Sequence, residues 1–289
     1  MTSTILDGRK IAAEVREDLL NLAATDREQF GSPAGLAVVS VGDDRASHLY
    51  LNVLQRSAEQ VGVALAAVAL PTDVDDTGLR SCIETLNADD HVQGILVQLP
   101  LPFQLSQRTV AEAIDPRKDV DGIGLRTAGN LFLRLPSFVP STGAAVLEML
   151  DRSAIDVSGR RAVVVGASNV VGKPLAFMLL HRDATVTVCH IHTRDLGHWT
   201  RQGDILVVAV GQPGLITGEM VQPGAAVIDV GITVRDDGTI LGDVAFESVA
   251  EVAGAVSPVP GGVGQLTNLM LLKQTILARR MWGAPSSSF

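Results

Sequence analysis

The chain has 289 residues, enough for two domains, and a formal net charge of −9, which argues against nucleic acid or an anionic membrane as its main partner. Apolar residues make up 46% but aromatics only 3%, so the core has to be aliphatic, a composition suited to buried parallel strands flanked by helices. Cys82 and Cys189 form neither a metal-spaced pair nor a disulfide framework, nothing near Met1 reads as a signal peptide, and no run approaches the ~20 apolar residues of a membrane span, so the expected setting is cytoplasmic.

In chain order, a short N-terminal strand precedes a helix over residues 7–24, with Ile11, Val15, Leu19 and Leu22 on its apolar face. A buried strand at 35–42, a helix at 47–61, a strand at 64–70, a helix at 77–87 and a strand at 94–98 follow. Residues 117–141 hold few periodic signals and read as a connecting region with functional loops. A helix at 143–151 leads to a second set of strands at 162–165, 185–189, 205–209 and 226–230, and then to a last helix at 265–280. Strands alternating with helices predict an α/β fold of two βαβ domains, the last helix packing back on the first and the tail 283–289 disordered.

The most informative stretch is 161–174. Val163, Val164 and Val165 form a short apolar run that Gly166 breaks. Gly172-Lys173-Pro174 then opens a helix carrying Leu175, Met178 and Leu179. A strand, a glycine turn and a helix N-terminus bring unpaired N–H groups and a positive dipole end to one point, which suits a pyrophosphate. The spacing departs from the dinucleotide fingerprint: Ser168 holds the place of its second glycine, and Gly172 falls one residue late. A phosphate-binding P-loop is excluded, because five residues separate Gly166 from Gly172 and Pro174 follows the lysine. An ordinary strand-to-helix turn stays open as the plain alternative.

Five segments share one pattern: Tyr50 within Ala46-Ser47-His48-Leu49-Tyr50; Val97-Gln98-Leu99-Pro100-Leu101-Pro102; Lys118-Asp119-Val120-Asp121-Gly122; the Gly166 turn; and Ser257-Pro258-Val259-Pro260-Gly261-Gly262-Val263-Gly264. Together they resemble the bifunctional methylenetetrahydrofolate dehydrogenase/methenyltetrahydrofolate cyclohydrolase family, in its order and spacing, from Asp7-Gly8 to Arg280. The resemblance implies a folate domain over 1–140 and 268–289, and a Rossmann-like NAD(P)-binding domain over 141–267. It also implies a homodimer through the nucleotide domain. Mapped by motif, Tyr50 stacks on the substrate, Gln98 sits beside the reacting carbon and Asp121 hydrogen-bonds the pteridine; these are the expected catalytic residues. Leu54, Val97, Leu99, Pro260, Gly261, Gly262, Val263 and Gly264 complete the expected substrate contacts. Gly166, Ala167, Ser168, Gly172, Pro174, His190, Ile191 and Ile232 are expected at the cofactor. Taken singly, Tyr50 reads equally as a helix-surface aromatic and Asp121 as a turn former. Gln98 is firmer, because an amide at the end of a buried strand needs hydrogen-bond partners.

The departures from the family pattern fall on the folate half. The family's catalytic lysine lies four residues after the tyrosine, one helical turn along the same face, and Leu54 stands there. Leucine has no proton to move and cannot activate water. The chain's four lysines, Lys10, Lys118, Lys173 and Lys273, are all distant in sequence, and Arg56 projects from another face of the helix. The family's Pro-Cys-Thr-Pro-x-Gly becomes Pro140-Ser141-Thr142-Gly143-Ala144-Ala145, its proline after Gly264 becomes Gln265, and the loop after Gly122 also differs. The pattern is that of a remodelled substrate site on a retained cofactor platform. Three functions remain: a folate dehydrogenase with weak or absent cyclohydrolase activity, an enzyme acting on another one-carbon or imine-like substrate, and a non-catalytic binding protein. After Cys189-His190 come Ile191, His192, Thr193 and Arg194, with no acidic residue closing the strand, which favours NADP over NAD.

Overall fold

The computed structural model describes residues 3–235 and 237–282; the tail expected at 283–289 lies outside them. In chain order the elements are β1 (Thr4–Ile5), α1 (Gly8–Phe30), β2 (Gly35–Val41), α2 (Arg45–Val61), β3 (Ala64–Leu70), α3 (Asp76–Ala88), β4 (Gly94–Val97), α4 (Gln107–Ala113), α5 (Leu125–Phe132) and α6 (Ser141–Arg152). They continue with β5 (Arg161–Val165), α7 (Gly172–Leu180), β6 (Thr185–Cys189), α8 (Leu196–Thr200), β7 (Ile205–Val208), β8 (Ala226–Asp229), β9 (Thr233–Val234), β10 (Ile240–Leu241), α9 (Phe246–Ala250), β11 (Ala255–Val256) and α10 (Gly264–Trp282). The α/β architecture with parallel sheets is present, in two compact units. One holds Val15–Ser141 and the segment from Asn268; the other holds the segment up to Glu14 and Thr142–Thr267.

The first unit is built on a parallel sheet ordered β3-β2-β4. Leu36, Ala37, Val38 and Val39 of the central strand are at most 1% exposed, as a continuous apolar run covered on both faces must be. Ala37 pairs with Ala66 on one side and Ile95 on the other. Ala37, Val39, Ile95 and Val97 pack with Leu79 and Ile83 of α3 and Val110 of α4. The last helix joins this unit as expected: the Gln274 side chain donates to the carbonyls of Val120 and Val139, both at 2.8 Å, and accepts the Val139 N–H at 2.9 Å. The first helix outruns its predicted end at Ala24 and continues to Phe30. Residues 25–30 are mostly polar, so the apolar stripe fades, but no breaker intervenes until Gly31, whose positive φ of 75° closes the helix. Residues 117–141, read as loop, contain α5; only Thr127 and Leu131 of it are buried, too few to leave a helical period in the sequence.

The second unit carries a six-stranded parallel sheet ordered β1-β11-β8-β7-β5-β6. The chain leaves β5 for β6 on one side and then returns to β7 on the other, which makes a topological switch point between β5 and β7. β1 pairs with β11, Ile5 opposite Val256, so residues up to Glu14 group with this unit rather than with the first domain where sequence placed them. The β9–β10 hairpin and β11 escaped sequence reading because each strand has two residues, too short for a period-two signal. Cys189 is buried and free, with its thiol pushed up by desolvation.

Candidate active site

In the first unit, α2 starts at Asp44, whose carboxylate accepts the Ser47 N–H at 2.8 Å, and this cap fixes where Tyr50 emerges. Tyr50 stays 37% exposed, whereas Leu54, one turn further on, is completely buried. Gln98 follows β4. Its N–H donates to the Val39 carbonyl at 2.9 Å and its side-chain nitrogen to the Ser47 carbonyl at 3.2 Å, which ties the strand end to the turn of α2 before Tyr50. The Gln98 Oε1 is buried and has no hydrogen-bond partner among the described residues, so it is an acceptor ready for a donor from outside. Val97 is part of the core, and Leu99 is half-buried.

Asp121 sits in a loop shaped by Asp119, which is completely buried and accepts the N–H groups of Ile123 at 3.1 Å and Gly124 at 2.7 Å. Gly122 has a φ of +63°, and a Cβ there would fall 2.9 Å from the Pro140 nitrogen. That close approach brings the Ser141 N–H to Asp121 Oδ1 at 3.1 Å. Burial raises the Asp121 carboxyl to about 6, and hydrogen bonds from Ser141 offset only part of the rise. The Tyr50 hydroxyl is raised too, first by desolvation and then by the Asp121 charge, so the two side chains share one electrostatic environment. The structure thus brings Tyr50, Gln98 and Asp121 together in one unit and withdraws the Leu54 and Val97 side chains into the core.

In the second unit, Gly166 has a φ of +123°, and a Cβ on it would lie 2.2 Å from the Ala209 carbonyl oxygen. A Cβ on Gly172 would lie 1.9 Å from the Gly166 oxygen. Both positions are therefore closed to any side chain. Ser168 shows why its departure from the glycine pattern is tolerated: its hydroxyl accepts the N–H groups of Val171 at 3.1 Å and Gly172 at 3.4 Å and braces the turn from within. The N–H groups of Ala167 and Ser168 make no hydrogen bond among the described residues, at the entrance to α7. Pro174 is buried in the first turn of that helix, where its missing N–H costs nothing. Ile191 is 93% and Ile232 58% exposed. His190 is exposed; its N–H donates to Thr193 Oγ1 at 2.8 Å, and its ring Nδ1 accepts the His192 N–H at 3.1 Å.

Of the 260–264 segment, Gly261, Gly262 and Val263 are buried, whereas Pro260 and Gly264 are exposed. The Gly8 N–H donates to the Gly261 carbonyl at 2.9 Å, and a Cβ on Gly8 would strike the Gly262 oxygen, so this glycine pair packs backbone on backbone with the N-terminal segment. A Cβ on Gly264 would lie 3.5 Å from Ile232 Cδ1, which makes these two exposed residues neighbours. Sequence reading missed Asp229 and Asp243, whose carboxyls lie against Gly242 and Gly231 in space, pairings that no sequence spacing announces.

One unit holds a parallel sheet with a glycine turn at its switch point and the other a tyrosine, an amide and a raised carboxyl, the pattern of a two-domain nucleotide-binding α/β protein. Residues 140–281 match the tetrahydrofolate dehydrogenase/cyclohydrolase NAD(P)-binding domain, and residues 6–121 match the catalytic domain of the same family. The chain is 47% identical over 280 residues to the bifunctional protein FolD of Chloroflexus aurantiacus, covering 97% of this chain and 98% of that one. Among solved structures, the bifunctional enzyme FolD of Campylobacter jejuni aligns with a TM-score of 0.94 at 41% identity, over 96% of this chain and 99% of that one. The Trypanosoma brucei enzyme, complexed with NADP cofactor and inhibitor, aligns with a TM-score of 0.93 at 35% identity, over 99% and 100%. The chain belongs to the tetrahydrofolate dehydrogenase/cyclohydrolase family.

Proposed function

We propose that the chain oxidises 5,10-methylenetetrahydrofolate with NADP⁺ to 5,10-methenyltetrahydrofolate and NADPH, and that hydrolysis of the methenyl product to 10-formyltetrahydrofolate is weak or lost. The observation that carries this reading is Leu54, fully buried and apolar at the position where the family's lysine stands. Lys118, in the same unit, offers no replacement, because its ammonium donates to the carbonyls of Leu86 at 3.0 Å and Asp89 at 2.6 Å. Hydride transfer depends on position and electrostatics, whereas hydrolysis needs a group that activates water.

The residues present fit a dinucleotide. The turn packs backbone on backbone with no room for a Cβ at Gly166 or Gly172, and the N–H groups of Ala167 and Ser168, without a hydrogen-bond partner among the described residues at the start of α7, suit an anion. When bound, the nicotinamide supplies the hydride acceptor. Ile191, past β6, and Ile232, past β8, would line the dinucleotide at its two ends, and His192 and Arg194 favour the 2′-phosphate of NADP. Asp195, the acidic residue nearest the end of β6, is already engaged as the cap of α8, where it accepts the His198 N–H at 3.1 Å. In the substrate unit, Tyr50 would stack on the pteridine, Asp121 would accept from its N–H groups, and the partnerless Gln98 oxygen would sit at the reacting carbon. We place the protein in the cytoplasm as a homodimer, with β6 as the open sheet edge of the nucleotide unit.

The test is turnover of 5,10-methylenetetrahydrofolate by pure protein with NADP⁺ and then NAD⁺, followed by the absorbance of the methenyl product. Accumulating methenyl product supports the reading. Rapid conversion to 10-formyltetrahydrofolate would overturn the part that rests on Leu54. Absence of turnover, with nucleotide binding intact, would point to a different one-carbon substrate or a binding role.

A further inference from the structure

Two buried carboxyl groups lie behind the loops that leave the nucleotide unit's sheet. Asp243 is completely buried and Asp229 is 3% exposed. Asp229, the last residue of β8, accepts the N–H groups of Gly231 at 2.9 Å and Asp243 at 3.1 Å on Oδ1, and that of Val244 at 3.0 Å on Oδ2. Its own N–H donates to the hydroxyl of Ser257, just past β11, at 2.8 Å. Asp243 Oδ2 accepts the N–H groups of Val210 at 2.6 Å and Gly211 at 2.9 Å, the first residues beyond Ala209 after β7. The other oxygen of Asp243 has no hydrogen-bond partner among the described residues and lies against Gly231, where a Cβ would fall 2.3 Å from it.

Burying two carboxyl groups is costly, and apolar side chains would fill the same space at less expense. What the carboxyls add is direction. Five backbone N–H groups, drawn from the loops after β7 and β8 and from the 242–244 segment, are held at set positions on one edge of the sheet. That edge carries the switch point, and the loop after β7 is in contact with the phosphate turn, since the Gly166 Cα packs on the Ala209 carbonyl. A dinucleotide whose pyrophosphate lies at this turn sends its adenosine ribose toward the end of the second strand, here β6. Its nicotinamide half then lies over β7 and β8, where Val210, Gly211 and Ile232 stand.

We propose that Asp243, backed by Asp229, is a positioning residue for the nicotinamide half of the cofactor: it fixes the 210–211 backbone and, through its contact with Gly231, the segment that presents Ile232. This rests on the dinucleotide reading of the Gly166 turn. Calorimetric titration of the whole protein with NADP⁺ and with adenosine 2′,5′-bisphosphate, which lacks the nicotinamide half, separates the two ideas. Wild type binding neither NADP⁺ nor NAD⁺ would remove the dinucleotide reading itself and this proposal with it.

With wild type binding both probes, Asp243→Ala is expected to weaken NADP⁺ by roughly tenfold or more and the bisphosphate by less than about twofold. Asp243→Asn should recover most of the loss, because an amide oxygen can replace Oδ2 while its NH₂ takes the partnerless side. Equal weakening of both probes, or of neither, overturns the proposal. Should Asp243→Ala fail to fold, Ser257→Ala loosens the same network by removing the hydroxyl that accepts the Asp229 N–H and donates to the Asp229 carbonyl. It should weaken NADP⁺ by roughly threefold with the bisphosphate unchanged, and loss of that differential would count equally against the proposal.

Discussion

Asp121→Asn is a change whose sign and size both follow from the structure. Burial raises the Asp121 carboxyl from its ordinary 3.8 to about 6, with the Ser141 hydrogen bonds pulling partly the other way. A carboxyl raised on folding contributes its full stability below the unfolded value and loses it as pH climbs through the folded value. The difference, at about 1.4 kcal/mol per pH unit, amounts to about 3 kcal/mol, of which about 2 kcal/mol falls between pH 4.5 and 7.5. An amide does not titrate, so across that interval the variant should gain about 2 kcal/mol on the wild type. The buried carboxyl of Asp229, in the other unit, is common to both proteins and cancels in the comparison. The assay is urea unfolding of both proteins at the two pH values, with matched slopes. A stability gap equal at both pH values would show that Asp121 ionises without burial cost and would refute the reasoning. Folate turnover should be lost in the variant even where it is the more stable protein, the trade expected of a functional group held in an unfavourable place.

Leu54→Lys should restore or raise cyclohydrolase activity, seen as faster decay of the methenyl absorbance; unchanged decay in a folded variant would mean that the pocket has diverged beyond this one position. Gly172→Ala places a Cβ 1.9 Å from the Gly166 carbonyl oxygen, a backbone atom that cannot swing away, so NADP⁺ affinity by calorimetry should fall by at least about tenfold. Undiminished affinity would show that the phosphate turn is not the nucleotide site. Arg194→Glu should lower the ratio of kcat/KM for NADP⁺ over NAD⁺ by roughly tenfold, and an unmoved ratio would place His192 and Arg194 away from the ribose.

Much of the fold was legible because its signals are long or unambiguous. The runs at 36–39 and 163–165 are apolar without alternation, which only strands covered on both faces need, and the structure buries them almost completely. What escaped was short or closed by distant partners. β1, too brief to announce its neighbour, pairs with β11 some 250 positions away in sequence, and so carries the N-terminal segment into the second unit. Of the candidate site, Tyr50, Gln98 and Asp121 were named through motif spacing. The structure adds the distant partners that hold them: the Ser47 carbonyl for Gln98 and the Ser141 N–H for Asp121. Asp229 and Asp243 were invisible for a plainer reason. A buried carboxyl satisfied by backbone N–H groups from several loops looks in sequence like any turn aspartate.

On the proposed reading, hydride transfer and hydrolysis make unequal demands on the residue at position 54. Everything that fixes position is in place: the capped start of α2 below Tyr50, the Gln98 link to Ser47, the loop held by Asp119, and the glycine cradle of the nucleotide turn. Leu54, fully buried, has no proton to exchange, which on that reading is what the hydrolytic step lacks. Asp121, whose charge acts on Tyr50, is a carboxyl raised by burial to about 6, and on the proposed reading it is the candidate base for any residual hydrolysis. Residual hydrolysis of the methenyl product should therefore fall as pH drops through about 6, where the carboxyl takes up a proton and ceases to act as a base. The same limb should be absent from Asp121→Asn. A pH limb that survives in that variant would assign the remaining water activation elsewhere, and the buried leucine would then mark a change of substrate rather than the loss of one of two steps.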